Sequence, residues 1–96
     1  MSIEIDTEKY IVFKDGERIE LPLKEFELFY LLSISPGKVF SRKQIYNIIW
    51  GENSKSKIRT VDVHISHLRK KINRKLIRTI IGVGYKITIE NITIIK

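Results

Sequence analysis

The stretch from Ser56 to Asn73, SKIRTVDVHISHLRKKIN, constrains this chain more than any other segment. At the period of an α-helix, Ile58, Val61, Ile65, Leu68 and Ile72 fall on one stripe. Arg59, Val63, Ser66, His67, Lys70 and Arg74 fall on the opposite face. The pattern predicts a helix anchored by aliphatic side chains, with a cationic, hydrogen-bonding surface turned outward. Val63 is an aliphatic set in that polar face, with no core to bury it. A DNA major groove suits all three properties: phosphates for cations, base edges for polar groups and thymine methyls for an aliphatic. A basic face that is merely solvated is the competing reading of the helix alone.

Composition narrows the choice. Ninety-six residues leave room for one domain around one modest core. At 43% hydrophobic and 30% charged, the chain has the composition of an ordered globular protein. A net charge of +7 and a pI near 9.8 attract polyanions, nucleic acid first and acidic membrane lipid second. No segment is apolar enough to span a bilayer and no secretory signal opens the chain, so the expected compartment is the cytoplasm, with no membrane partner. Cysteine is absent, which excludes disulfides and thiolate metal sites.

The elements follow in a definite order. Residues 3–5, 10–14 and 17–21 are short runs rich in β-branched and aromatic side chains. Asp15-Gly16 between the last two suits a two-residue type I′ hairpin loop, which needs positive φ at both positions. An antiparallel meander is therefore expected first. Leu23 to Ser33 is apolar at Leu23, Phe26, Phe29 and Tyr30 and again at Leu28, Leu31 and Leu32, a face broad enough for a central helix. Ser35-Pro36-Gly37 stops it. Ser41-Arg42-Lys43-Gln44 reads as a capping box for a helix over Arg42 to Trp50, with Ile45, Ile48 and Ile49 turned inward. Gly51 to Lys57 is a polar loop, and the basic helix comes next. Residues 77–81, the glycine turn Gly82-Val83-Gly84 and residues 85–89 form a hairpin. The fold expected is α+β, a winged helix-turn-helix: N-terminal antiparallel β-meander, three helices and a C-terminal β-hairpin wing. Beyond the wing, residues 87–95 carry alternating isoleucines that would leave an open edge, and the segment is expected to fold back onto the meander.

At this level of detail the segments KEFELFYLL, PGKVFSRKQIYNIIWG, RTVDVHISHLRKKI and RTIIGVGYKI resemble the OmpR/PhoB-type effector domain of bacterial two-component response regulators. The resemblance runs from about Leu21 to Ile87, and the meander also fits. It implies that the third helix enters the major groove and the wing meets the minor groove. It also implies that loop Gly51 to Lys57 can meet RNA polymerase. In such regulators an upstream receiver domain, controlled by a sensor kinase, dimerises on phosphorylation. Residues 1–96 are expected to be one winged-helix DNA-binding domain with no receiver of their own, and the expected DNA carries paired or repeated half-sites.

Individual residues carry two readings each. Arg59 and Thr60 open the third helix, where free N–H groups and the helix dipole favour phosphate, against a helix-start salt bridge for Arg59. Val63 is assigned to a thymine methyl. Ser66 and His67 stand where the resembled family often has arginines, which points to a site less centred on guanine. His64, Lys70 and Arg74 complete the basic helix's contribution. Arg42 and Trp50 bracket the second helix as phosphate contacts, with core packing as the alternative for Trp50. Asp62 and Arg69 sit at the margin of the two faces, where an internal salt bridge competes with phosphate contact by Arg69. On the wing, Thr79, Tyr85 and Lys86 are expected to touch phosphate. Ile81 replaces an arginine that family members often send into the minor groove.

Catalysis finds no support. His64 and His67 lack a third ligand, and Ser66, His67 and Asp62 share one exposed helix without a pocket. No enzyme activity, metal or cofactor is expected. The function read from the sequence is sequence-specific duplex DNA binding and transcriptional regulation. The alternative is a winged helix that binds protein and does not read DNA.

Overall fold

The computed structural model describes residues 1–51, 53–88 and 91–95. Among these, three strands open the chain: β1 (Ile3–Asp6), β2 (Ile11–Lys14) and β3 (Glu17–Glu20). Helix α1 (Leu23–Ser33), the two-residue strand β4 (Phe40–Ser41), α2 (Arg42–Ile49) and α3 (Thr60–Lys71) follow. Strands β5 (Ile77–Ile80), β6 (Gly84–Ile87) and β7 (Ile92–Ile95) complete the fold. They make two sheets, ordered β3-β2-β1-β7 and β4-β6-β5.

Local chemistry accounts for the boundaries. Asp15 and Gly16 take φ of 50° and 82°, and Lys14 pairs with Glu17 across them, as a two-residue primed turn requires. Ser41 accepts a hydrogen bond from the Gln44 amide while Gln44 Oε1 accepts one from the Ser41 amide, the reciprocal pair that opens α2. Lysines close two helix ends. Lys24 Nζ donates to the Ile49 carbonyl at 2.9 Å, and Lys14 Nζ donates to the Ile72 carbonyl at 2.7 Å. Each places a cation at the negative end of a helix dipole. Both also tie the helix to an earlier element, α1 in one case and β2 in the other.

The core lies where the helices meet the sheets. Phe29, Leu28 and Leu32 of α1 pack with Ile45 of α2, Val61, Ile65 and Leu68 of α3, and Ile3 and Ile5 of β1. Truncating any of these leucines or isoleucines to alanine would cost about 2–5 kcal/mol. The stripe on α3 is therefore consumed internally, which forces its polar face outward.

Several expectations need correction. The basic helix begins at Thr60 with Arg59 as its cap, so Ile58 lies before it, 41% exposed, outside the apolar stripe. Ile48 does not turn inward with Ile45 and Ile49; it is 58% exposed. Leu23, at the first turn of α1, is also exposed. The wing is three-stranded, because Phe40 and Ser41 pair with Tyr85 and Gly84. Two residues are too few to show a strand period, and Ser41 also serves as a helix cap. Gly84 belongs to β6 rather than to the turn, and its reason for being glycine is contact. A Cβ there would stand 2.0 Å from the Phe40 carbonyl oxygen. Gly82, with φ of +78°, is the residue the turn itself needs. The tail does fold back onto the meander, as a parallel partner of β1 with Ile3 opposite Ile92. Residue 52 of the expected loop, and residues 89 and 90 at the expected end of the hairpin, lie outside the described residues.

Candidate nucleic-acid interface

The outward face of α3 carries Val63, Ser66, His67 and Lys70, all exposed, with exposed Arg59 just before it and Arg74 just after. Val63 is 45% exposed, whereas Val61 two residues earlier is wholly buried. The Val63 isopropyl group is therefore available to a partner that presents an apolar contact to this face. Ser66, Arg69, Lys70 and Arg74 line one open depression along the helix. A second lies at the base of the wing, bounded by Arg42, Thr79, Gly84 and Tyr85. Thr60, half-buried, starts the helix.

A polar network locks α2, α3 and the wing together. Asp62 takes Arg42 bidentately, at 3.1 Å to Nε and 2.7 Å to Nη2. The Tyr85 hydroxyl donates to the same carboxylate at 2.5 Å. Arg69 donates to the Ile77 carbonyl and, at 2.7 Å, to Thr79 Oγ1, with its guanidinium 5.7 Å from the Tyr85 ring centre. Burial pushes the Tyr85 phenol up to about 12, with the Asp62 hydrogen bond and charge adding to the rise and Arg69 and Arg42 opposing it. The internal salt bridge expected for Asp62 is present. Arg69 instead bonds neutral oxygens, so its charge is left uncompensated near the surface.

The network revises one wing assignment. Tyr85 is 8% exposed and its hydroxyl is committed to Asp62, so it sets the hairpin's position and has no proton to offer a phosphate. Lys86 pairs across the hairpin with Arg78, while Thr79 pairs with Tyr85. Alternation then puts Lys86 on the face opposite Thr79 and Tyr85. Ile81, at the tip, is 93% exposed.

Trp50 packs as its second reading expected. Its ring stacks on Tyr46 at 5.7 Å and meets the edge of His64 at 5.0 Å, yet its indole N–H has no partner among the described residues. His64 is half-buried, and its Nδ1 donates to the Thr60 carbonyl at 2.9 Å. Tyr46 holds the loop before α3 through a hydrogen bond from its hydroxyl to the Ser56 carbonyl.

Sequence reasoning missed Glu25. This carboxylate of α1 is 4% exposed, accepting from Lys71 Nζ at 2.9 Å and from His67 Nδ1 at 3.0 Å. Burial alone would raise its pKa, but Lys71 and His67 together outweigh burial and hold it below the ordinary value. A charged residue at a core position of α1 was the available signal. Among the described residues, no cluster of His, Asp or Glu could hold a metal ion, and no helix is long and apolar enough to cross a membrane.

Residues 16–87 match the family described as transcriptional regulatory protein, C terminal. The chain belongs to that family. It is a winged-helix domain of transcriptional regulators, a family of DNA-binding proteins rather than enzymes. Transcriptional regulatory protein SrrA of Staphylococcus aureus is 37% identical over 95 residues, covering 93% of this chain and 39% of that protein. The chain thus spans well under half the length of the curated relatives it matches. The DNA-binding domain of response regulator AdeR, solved in complex with an intercistronic region, superposes with a TM-score of 0.82 at 33% identity, over 94% of this chain and 97% of that one. DrrB, an OmpR/PhoB homologue from Thermotoga maritima, gives 0.81 at 40% identity, over 92% of this chain and 42% of its own. The OmpR/PhoB resemblance and the winged-helix architecture both hold.

Proposed function

We propose that this family member binds duplex DNA sequence-specifically through α3 and regulates transcription as the output domain of a two-component response regulator. The observation that carries the reading is the exposed Val63, set among Arg59, Ser66, His67 and Lys70 on a helix whose other face is buried. Arg59, Lys70 and Arg74 neutralise phosphates, joined by the helix start at Thr60, the Trp50 N–H and the unused guanidinium donors of Arg42 and Arg69. Val63, Ser66 and His67 meet base edges. Thr79 and Lys86 serve phosphates from opposite faces of the wing.

Residues 1–96 act as one DNA-binding unit on paired half-sites in the cytoplasm. A receiver domain and its sensor kinase govern pairing, and the polar loop of residues 51–57 is the surface offered to RNA polymerase. The SrrA relatives and the AdeR and DrrB structures support the DNA-binding and regulatory part of this reading.

Two substitutions test it by titration of selected and random duplexes across salt concentrations. Arg59→Ala should weaken all duplexes alike and reduce the log–log salt slope by about one phosphate's worth, ~0.9. Val63→Ala should cost about 1 kcal/mol at a single thymine-containing step, the size of a lost methyl contact. An Arg59→Ala protein with unchanged affinity and slope would show that the docking surface lies elsewhere.

A further inference from the structure

His67 reaches the outer face of α3 with one ring nitrogen already spoken for. Its Nδ1 lies 3.0 Å from Glu25 Oε2, and the other Glu25 oxygen accepts from Lys71 Nζ at 2.9 Å. We propose that Glu25 is a positioning residue that fixes His67 as a hydrogen-bond acceptor toward DNA, so that one base pair of the site is selected for an adenine or cytosine amino group. The inference rests on the reading that the outer face of α3 meets the major groove.

The chemistry follows from proton counting. Glu25 is buried against an ammonium group and is held ionised, with its pKa below the ordinary value. An ionised carboxylate can only accept, so Nδ1 must carry a proton. In neutral imidazole the proton is then absent from Nε2, which presents a lone pair. Nε2 has no partner among the described residues, and the side chain is 45% exposed. The titratable groups placed against the ring are Glu25 from α1 and, on α3 itself, Lys71 through the shared carboxylate and His64, 6.1 Å away between ring centres. Trp50, which reaches this group from the end of α2 by packing on His64, brings no charge.

In the major groove a lone pair seeks a donor. Adenine N6 and cytosine N4 are donors; guanine O6 and N7 and the phosphate oxygens are acceptors and repel it. An arginine at this position would prefer guanine, so the Glu25–His67 pair inverts the preference.

The test has a spectroscopic arm and a binding arm. Nitrogen-15 NMR of the imidazoles in the intact chain, free and bound to a selected duplex at about pH 8, should show the His67 proton on Nδ1 in both states. Selection from random duplexes should reveal one position that His67→Ala makes indifferent. There wild type should prefer adenine or cytosine over guanine about five-fold, the worth of one neutral hydrogen bond. Glu25→Gln should mix the two tautomers and flatten the preference at that position alone. If that variant fails to fold, the wild-type tautomer and its base preference at that position still decide.

A proton on Nε2, or guanine preferred at about pH 8, overturns the inference. Specific binding with no position sensitive to His67→Ala overturns it too, while leaving the DNA-binding reading intact. Absence of any specific duplex binding brings down that reading, and the inference with it.

Discussion

The Tyr85 hydroxyl of β6 donates to Asp62 Oδ1 of α3 at 2.5 Å, and the same carboxylate grips Arg42 of α2. One acidic side chain thereby fixes the angle between the wing and the helix that faces DNA. Tyr85→Phe keeps the ring in place and removes only the donor. The bond has a charged acceptor but a half-exposed one, so the expected loss is about 1 kcal/mol, toward the low end of the range for such bonds. Alkaline unfolding gives a sharper check. The folded-state pKa, about 12, lies above the ordinary 10.0, so the folded chain holds the phenolic proton longer. The resulting stability is complete below pH 10 and is lost as pH rises from there toward 12. The variant should lack that component of the decline, and identical pH profiles would show that the bond does not form in solution.

Gly84→Ala should be the most damaging small substitution on the wing. Its methyl would meet the Phe40 carbonyl oxygen at 2.0 Å, backbone against backbone, so β4 and β6 must part. Overpacking of this kind costs about 1–3 kcal/mol, and each kcal/mol lowers the melting temperature of a domain this size by roughly 4–8 °C. Gly82→Ala meets open space and bears only the strain of positive φ, about 1 kcal/mol. Equal melting temperatures for the two variants would mean that the β4–β6 pairing is not tight.

At the hairpin tip, Ile81 is almost fully exposed and gains nothing from the negative potential of a narrow A·T minor groove. Ile81→Arg should tighten binding to A·T-flanked sites more than to G·C-flanked ones. Equal tightening would mean that the new charge acts only on phosphates. No change on either flank would show that the tip points away from DNA.

The C-terminal strand predicts a change in stability, with no effect on assembly. Strand β7 covers the edge of β1 in parallel register from Ile3–Ile92 to Asp6–Ile95. Deleting residues 90–96 should cost about 2–4 kcal/mol through lost ladder bonds and the uncovering of β1, seen as a lower denaturant midpoint. The intact chain should sediment as a monomer. A stable dimer that dissociates on this deletion would show that β7 pairs between chains.

Much of the fold was legible because its signals are local. The Asp15-Gly16 turn, the Ser41–Gln44 capping box, the start and end of α1 and the basic face of α3 each depend on residues within a few positions of one another. The boundary of α3 was less so: Ile58 fits the helical stripe by spacing, yet no partner element lies beneath it. Ile48 shows the same limit, since its apolar character does not reveal that its side chain lies at the surface. It joins Tyr10, Tyr30 and Ile34 around a shallow apolar groove instead.

The sequence by itself determined the order of elements, the charge of the outward helix and the family, because periodicity, turn chemistry and motif spacing are written along the chain. Only the tertiary structure decided which polar side chains are free to act. Tyr85 and Lys86 are neighbours in sequence, but the hairpin register sends one into Asp62 and the other to the opposite face. Glu25 and His67 are 42 residues apart, and only the packing of α1 on α3 brings a carboxylate against the imidazole. Such pairings depend on three-dimensional proximity, and proximity across elements leaves no periodic trace in a single sequence.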